Sequence, residues 1–376
     1  MDLKTWDAVA TMLGAVIGAG ILAIPFVLAQ AGLVSGIVNI IVLGLAILAL
    51  HLMVGEVVLR TKGDHQLAGY ARLYVGKTGG RLMTLSLVVG IYGALLAYLL
   101  GMGESFSQLV GGTPLVWTAL AFVLMGLLLA QRLDVIEKSE RYLSALKIVA
   151  ILVISAIAFL SQRFTTANYA PTTSWTLPFG VVLFSLLGTA AIPEVREELK
   201  GQYRKLKPAL LWAGIIAIIV YLLFAVSVVG VTGATTSEIA TAALGQQLGT
   251  GAFVLLNLFA LLAMTSAFLA LGEALKKSFE EDYGWQPLGA WCITMLVPAV
   301  LVLLGARSFI TIIGLTGAVA GGIDGILIVM MYRKALKKGS RTPEYRLNMP
   351  VWLQMVVLAV FVLALLWAVV ATLGLL

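Results

Sequence analysis

Gly188-Thr189-Ala190-Ala191-Ile192-Pro193 repeats the pattern G-x-x-A-I-P that stands near the start of the chain as Gly20-Ile21-Leu22-Ala23-Ile24-Pro25. Each copy lies inside a long apolar run. Glycine and proline both weaken a helix, and proline also removes a backbone donor. In hydrocarbon an unpaired backbone group costs several kcal/mol, so an interrupted helix persists only where protein or a wet cavity serves the freed groups. Two interrupted spans at matching places in two halves of a chain mark a mid-membrane binding site.

The rest of the composition agrees with a bilayer setting. Of 376 residues, 61% are hydrophobic and 11% charged, with a mean hydropathy of +1.03. A soluble domain carries roughly a quarter charged residues, so this is an all-α integral membrane protein. The single cysteine, Cys292, excludes an internal disulfide, and two histidines, His51 and His65, argue against a histidine-built metal centre. No metal or organic cofactor is expected. The first apolar stretch, Thr5 to Ala29, lacks a small-residue cleavage site and reads as a retained span.

Apolar length, bounded by charges and turn residues, gives eleven spans at roughly 5–30, 33–59, 81–110, 114–131, 142–162, 178–195, 208–231, 249–275, 286–305, 308–332 and 350–375. The net charge of +7 resembles a nucleic-acid signal until it is mapped on these spans. Of the 25 Lys and Arg, all but Arg163, Arg307 and the intramembrane Lys147 fall on one side. The positive-inside rule puts that side, with the N-terminus, in the cytoplasm and the C-terminus outside. The basic excess is a topology signal, which leaves the bilayer and not nucleic acid as the partner. Spans 1 and 6 then run in opposite directions. Residues 1–162 and 178–335 form two five-span sets of inverted orientation, and 349–376 adds an eleventh span. Between spans, His65–Val75 and Ser237–Leu244 have helical character, the second as a short surface helix.

Gly14-Ala15-Val16-Ile17-Gly18-Ala19-Gly20-Ile21-Leu22-Ala23-Ile24-Pro25 resembles helix 1 of the amino acid–polyamine–organocation superfamily. Gly188 to Lys200 is similar to helix 6 of its amino acid/auxin permease branch, which includes the bacterial aromatic amino acid permeases, and Ala97 to Glu104 to that branch's third helix. The resemblance implies the five-plus-five inverted repeat of the bacterial leucine transporter, with helices 1 and 6 broken and a small amino acid bound at mid-membrane. It also implies secondary active import by alternating access, with spans 1, 2, 6 and 7 rocking against the rest, in a cell inner or plasma membrane.

The residues give that expectation a chemistry. Free amides of Gly18, Ala19 and Gly20 suit a carboxylate, helped by a half-helix N-terminus. Carbonyls near Ser185, Leu186 and Gly188, with the Thr189 hydroxyl, suit an ammonium group. The same glycines also permit close helix packing, whether or not they touch a ligand. For the substrate side chain, Ala15, Tyr92, Tyr98, Phe184, Phe259 and Ile313 are candidates. No charged residue obviously faces them, which favours a neutral side chain.

Coupling leaves two readings open. Lys147 lies inside span 5, where it either snorkels to the nearby surface or, as the resemblance implies for proton-coupled relatives, occupies the place of a structural sodium ion. It would then bridge carbonyls near Gly14 and Ile17 to span 8. Thr265-Ser266 resembles the hydroxyl pair that ligates sodium in sodium-coupled relatives, which would make Gly14, Ile17, Thr265 and Ser266 an ion site. Ser and Thr in membrane helices also bond the preceding turn. Lys147 and sodium compete for one space, which favours protons. Glu56 in span 2 meets the broken part of span 6 if the resemblance holds, or pairs with Arg60 four residues on. Asp324, deep in span 10, is a candidate second proton site or gate. Glu194, Arg196, Glu197 and Glu198 form either inner-gate ion pairs or a solvated helix end. A channel would show a repeated filter segment, an enzyme H-E-x-x-H, G-x-S-x-G or a carboxylate cluster, and a sensor a soluble signalling segment; the sequence has none of these.

Overall fold

The computed structural model describes residues 2–131, 134–166, 169, 171–172 and 175–372, the side chains of 134–144 and 281–283 excepted. Among them there is helix and no strand. In order the helices are α1 (Leu3–Val16), α2 (Ile24–Ala31), α3 (Leu33–Arg60), α4 (Leu67–Val75), α5 (Lys77–Val110), α6 (Pro114–Ala130), α7 (Asp134–Leu160) and α8 (Phe179–Leu186). They continue as α9 (Ile192–Glu198), α10 (Leu206–Thr232), α11 (Ala240–Leu248), α12 (Thr250–Tyr283), α13 (Pro287–Leu303), α14 (Phe309–Lys338) and α15 (Val351–Thr372). Among the described residues seven stretches, the interrupted Phe179–Glu198 included, are long and apolar enough to cross a membrane; α1 and α2 form an eighth as a pair bent by 52°. Three shorter apolar helices, Pro114–Ala130, Ala145–Leu160 and Pro287–Leu303, complete the set. This is a multi-pass membrane protein.

Both interruptions follow from local chemistry. α1 stops where Ile17 (φ −87°, ψ 77°) and Gly18 (φ −94°, ψ −166°) leave helical geometry. A 3-10 turn over Ala19–Ala23 restarts the chain, and Pro25 sits in the first turn of α2, where a missing N–H costs nothing. The second break is built alike. α8 ends at Leu186, Leu187 turns extended, a 3-10 turn covers Thr189–Ala191, and Pro193 opens α9. Sequence reading expects a broken span over 178–195; the structure has the break between Leu186 and Ile192 and carries the span on to Glu198.

Close backbone approach fixes the half-helix α8 on α14. A β-carbon on Gly317 would lie 2.0 Å from the Gly180 carbonyl oxygen, and one on Gly180 would lie 2.1 Å from that of Gly314. Small residues thus hold these helices together, as small-xxx-small pairs do in membranes.

Several expectations shift. The helical stretch at 65–75 is α4, but that at 237–244 is displaced to α11 and is not a surface helix: Ala240 to Gly245 are buried. α4 and α11 have 9 residues each, and each leads into a helix of 34 residues. The corners are glycines with left-handed φ, Gly76 at 99° and Gly249 at 105°, a region that side chains disfavour.

The segment between α14 and α15 straps across the end of α3. The amides of Ser340 and Arg341 donate to the Arg60 carbonyl at 2.8 and 3.1 Å, and the Tyr345 hydroxyl donates to the Leu52 carbonyl at 2.7 Å. Burial, and then the neighbouring Glu56, push the Tyr345 hydroxyl well above its usual pKa, so it remains a donor.

Candidate functional site

The two breaks face each other. A β-carbon on Gly20 would meet Ser185 Oγ at 2.9 Å and the Phe184 ring at 3.2 Å, while one on Gly188 would meet Val16 Cγ2 at 2.6 Å. Tyr98 approaches from α5, its hydroxyl 3.6 Å from a β-carbon position on Gly18. Around them lies a cavity of about 420 Å³ whose wall includes Gly18, Gly20, Tyr98, Phe184, Ser185, Gly188 and Thr189. That volume suits a small molecule.

Which backbone groups are free differs from expectation in detail. The Gly18 amide donates to the Val16 carbonyl at 3.0 Å, so it is not available. Ala19 and Gly20 open a helical turn, where the first amides have no preceding carbonyl to bond. At the second break, the Gly188 carbonyl accepts from Ala191 at 3.1 Å and the Ser185 carbonyl accepts from Tyr221 at 2.6 Å. A carbonyl oxygen has a second lone pair, so neither is lost to a ligand.

Lys147 is 6% exposed and lines the cavity with Gly14, Ala15 and, from α12, Ala267, Ala270, Leu271 and Ala274. Residues of α1 and α12 thus share this wall with Lys147. Asp324 is 4% exposed and lines the same cavity; its Oδ1 has no hydrogen-bond partner among the described residues. The Ser86 hydroxyl lies beside it and donates to the Ala320 carbonyl at 2.9 Å. Glu194 also reaches this wall.

Other expected residues are not brought here. Ser266 bonds the Ala263 carbonyl at 3.1 Å, and Thr265 turns to Met102 Sδ at 3.5 Å; neither hydroxyl lines the cavity, nor does Ile17. Glu56 is fully buried, and its hydrogen bonds here go to Arg60 and to the strap. It accepts from Arg60 Nε at 2.8 Å and from the Leu347 amide at 2.8 Å, the latter 291 residues away. It anchors the strap between α14 and α15. Of the other side-chain candidates, Ala15 lines the cavity, whereas Tyr92 donates to the Ile293 carbonyl at 3.1 Å and Phe259 and Ile313 lie elsewhere. Arg196 is buried, pairs with Asp64 and stacks 5.3 Å from the Tyr203 ring centre. His51 is buried, and neither of its ring nitrogens has a partner among the described residues.

The cavity is one-sided. Asp2 pairs with Lys205, Asp64 with Arg196, and the Lys62 amide bonds Ser340 Oγ at 2.8 Å, so these segments share the face that carries the N-terminus. From the breaks the wall runs toward that face, past Gly14, Lys147, Ser86 and Ala274. On the opposite side Met264 and Phe309 pack on Gly101. Beyond that layer lies a separate cavity of about 360 Å³, lined by Glu104, Gln108, Glu238 and Arg307 among others.

A family model described as the tryptophan/tyrosine permease family matches residues 1–368. The chain belongs to this family. Relatives of this permease include the tyrosine-specific transport system 1 of Haemophilus influenzae, 26% identical over 368 residues and 90% of each chain. Another is glutamine transporter 2 of Aliivibrio fischeri, 25% identical over 341 residues, 85% of this chain and 86% of the relative. The protein is therefore a membrane amino acid permease and not an enzyme.

Proposed function

We propose that this permease is a secondary active importer of a neutral amino acid, aromatic side chains foremost, in the inner or plasma membrane. The carrying observation is the pair of broken helices set against each other on one 420 Å³ cavity. The Ala19 and Gly20 amides take the carboxylate, and carbonyls of the second break take the ammonium group. Side-chain preference is supported by the relatives, one tyrosine-specific and one a glutamine transporter. Both side chains are uncharged.

Eleven spans in a five-plus-five inverted repeat account for the elements. Broken α1–α2 answers broken α8–α9. The 28-residue α3 answers the 27-residue α10, and α6 and α13, 17 residues each with proline in the first turn, answer one another. The pair α4–α5 answers α11–α12, and α7 answers α14. Residues 1–162 and 178–335 are the two repeats, 349–376 is the extra span, and the basic face with the N-terminus is cytoplasmic. The state described is then open toward the cytoplasm, one end of an alternating-access cycle.

Coupling is to protons in this reading, through Lys147 and Asp324 on the cavity wall. Sodium is the weaker alternative, since Thr265 and Ser266 lie off the cavity. Purified permease in proteoliposomes tests all of this. Labelled tyrosine, tryptophan and glutamine are offered with an imposed pH gradient and, separately, a sodium gradient. Accumulation driven by acid outside is expected. Uptake that follows only sodium removes the proton reading, and no uptake of any of the three removes the substrate reading.

A further inference from the structure

Tyr221 stands on α10 behind the cavity wall and is fully buried. Its hydroxyl donates to the Ser185 carbonyl at 2.6 Å and lies 3.1 Å from the Val16 carbonyl. Val16 closes α1, and Ser185 belongs to the last turn of α8. In unbroken helices these carbonyls would accept from the amides of Gly20 and Thr189, four residues on. The breaks remove both of those partners; the Val16 carbonyl keeps only the short turn bond from the Gly18 amide at 3.0 Å, and one phenol reaches both carbonyls. Packing alone does not require the hydroxyl: Phe224, three residues along the same helix, is also fully buried. A buried hydroxyl without partners is costly, so its presence at 221 goes with these two acceptors.

We propose that Tyr221 is a positioning residue for the charged head group of the substrate. Its single proton, shared between one carbonyl of each interrupted span, holds the two breaks in register. The Ala19 and Gly20 amides on one side and the second-break carbonyls on the other then converge on the same amino acid. The inference rests on the amino-acid reading of the site and names a residue that neither the G-x-x-A-I-P motifs nor the cavity wall contains.

The test is binding of three probes to the purified permease: L-tyrosine, 3-(4-hydroxyphenyl)propionate, which lacks the amine, and tyramine, which lacks the carboxylate. Tyr221→Phe is expected to weaken L-tyrosine by roughly tenfold, the range of one neutral hydrogen bond. It should weaken the two incomplete probes far less, so the affinity ratio of tyrosine to each analogue falls. Simple loosening of the helices would weaken all three alike, and an unchanged ratio overturns the proposal. If Tyr221→Phe does not yield folded protein, 2,3-difluorotyrosine placed at 221 strengthens the donor at nearly constant shape. A change for L-tyrosine without a matching change for the deaminated probe then supports the proposal, and equal or no change overturns it. Failure of the unaltered permease to bind tyrosine, tryptophan or glutamine defeats the underlying substrate reading instead.

Discussion

Lys147 is buried and lines the cavity, which supports the coupling reading over snorkelling to the nearby surface. A lysine there is costly unless its charge is used. Lys147→Ala is expected to abolish gradient-driven accumulation while leaving exchange of labelled for unlabelled substrate in place; accumulation at the normal level would remove Lys147 from coupling. At the breaks the same resolution applies to glycine. Gly188→Val brings a β-carbon within 2.6 Å of Val16 Cγ2, so the two segments must separate. Amino acid binding should fall by at least about a hundredfold, a loss near 3 kcal/mol; calorimetric titration reads it directly. Glu56 shows the limit of spacing arguments at this scale. Its partner Arg60 stands four residues away and is legible, whereas Leu347 is not, because nothing local announces a contact across 291 residues.

Among elements, the strap between α14 and α15 ties α3, which packs on α2, α8 and α9, to the far end of the chain. Glu56→Ala leaves Arg60 and the Leu347 amide without their buried acceptor. A destabilisation of about 3 kcal/mol is expected, measured as a lower unfolding midpoint in detergent. Tyr345→Phe should cost only about 1 kcal/mol, since one neutral hydrogen bond is lost. Equal effects would mean that the strap is held by Tyr345 and not by the carboxylate. The sequence displays the order of spans and the two breaks clearly, since apolar length and the Gly/Pro punctuation are local signals. It does not display that α11 is buried, because Ala240 to Gly245 are small residues that satisfy a surface and an interior equally well. Nor does it display Tyr221, an aromatic in an apolar helix like several others. Only the meeting of α10 with both breaks sets that hydroxyl apart.

For the whole molecule, the one-sided cavity makes a prediction about accessibility. Cys292 is exposed and is replaced by serine to give a background without thiols. In that background Ala274→Cys, deep on the open side, should react with an impermeant maleimide applied to the face bearing the N-terminus. Leu100→Cys, in the separate outer cavity, should react only from the other face. Saturating substrate with an inward gradient is expected to slow labelling at Ala274→Cys as the population shifts; identical rates with and without substrate would contradict alternating access. The wall that this cavity presents on α12 is made chiefly of alanine, at 267, 270 and 274, with Gly14 and Gly90 opposite. Its bore is therefore set by methyl groups and hydrogens instead of by large side chains. Each methylene added there trims the room for a ligand by one carbon's worth, so the choice among ring sizes can be retuned by single steps along one helix without disturbing the amides and carbonyls proposed to hold the zwitterion.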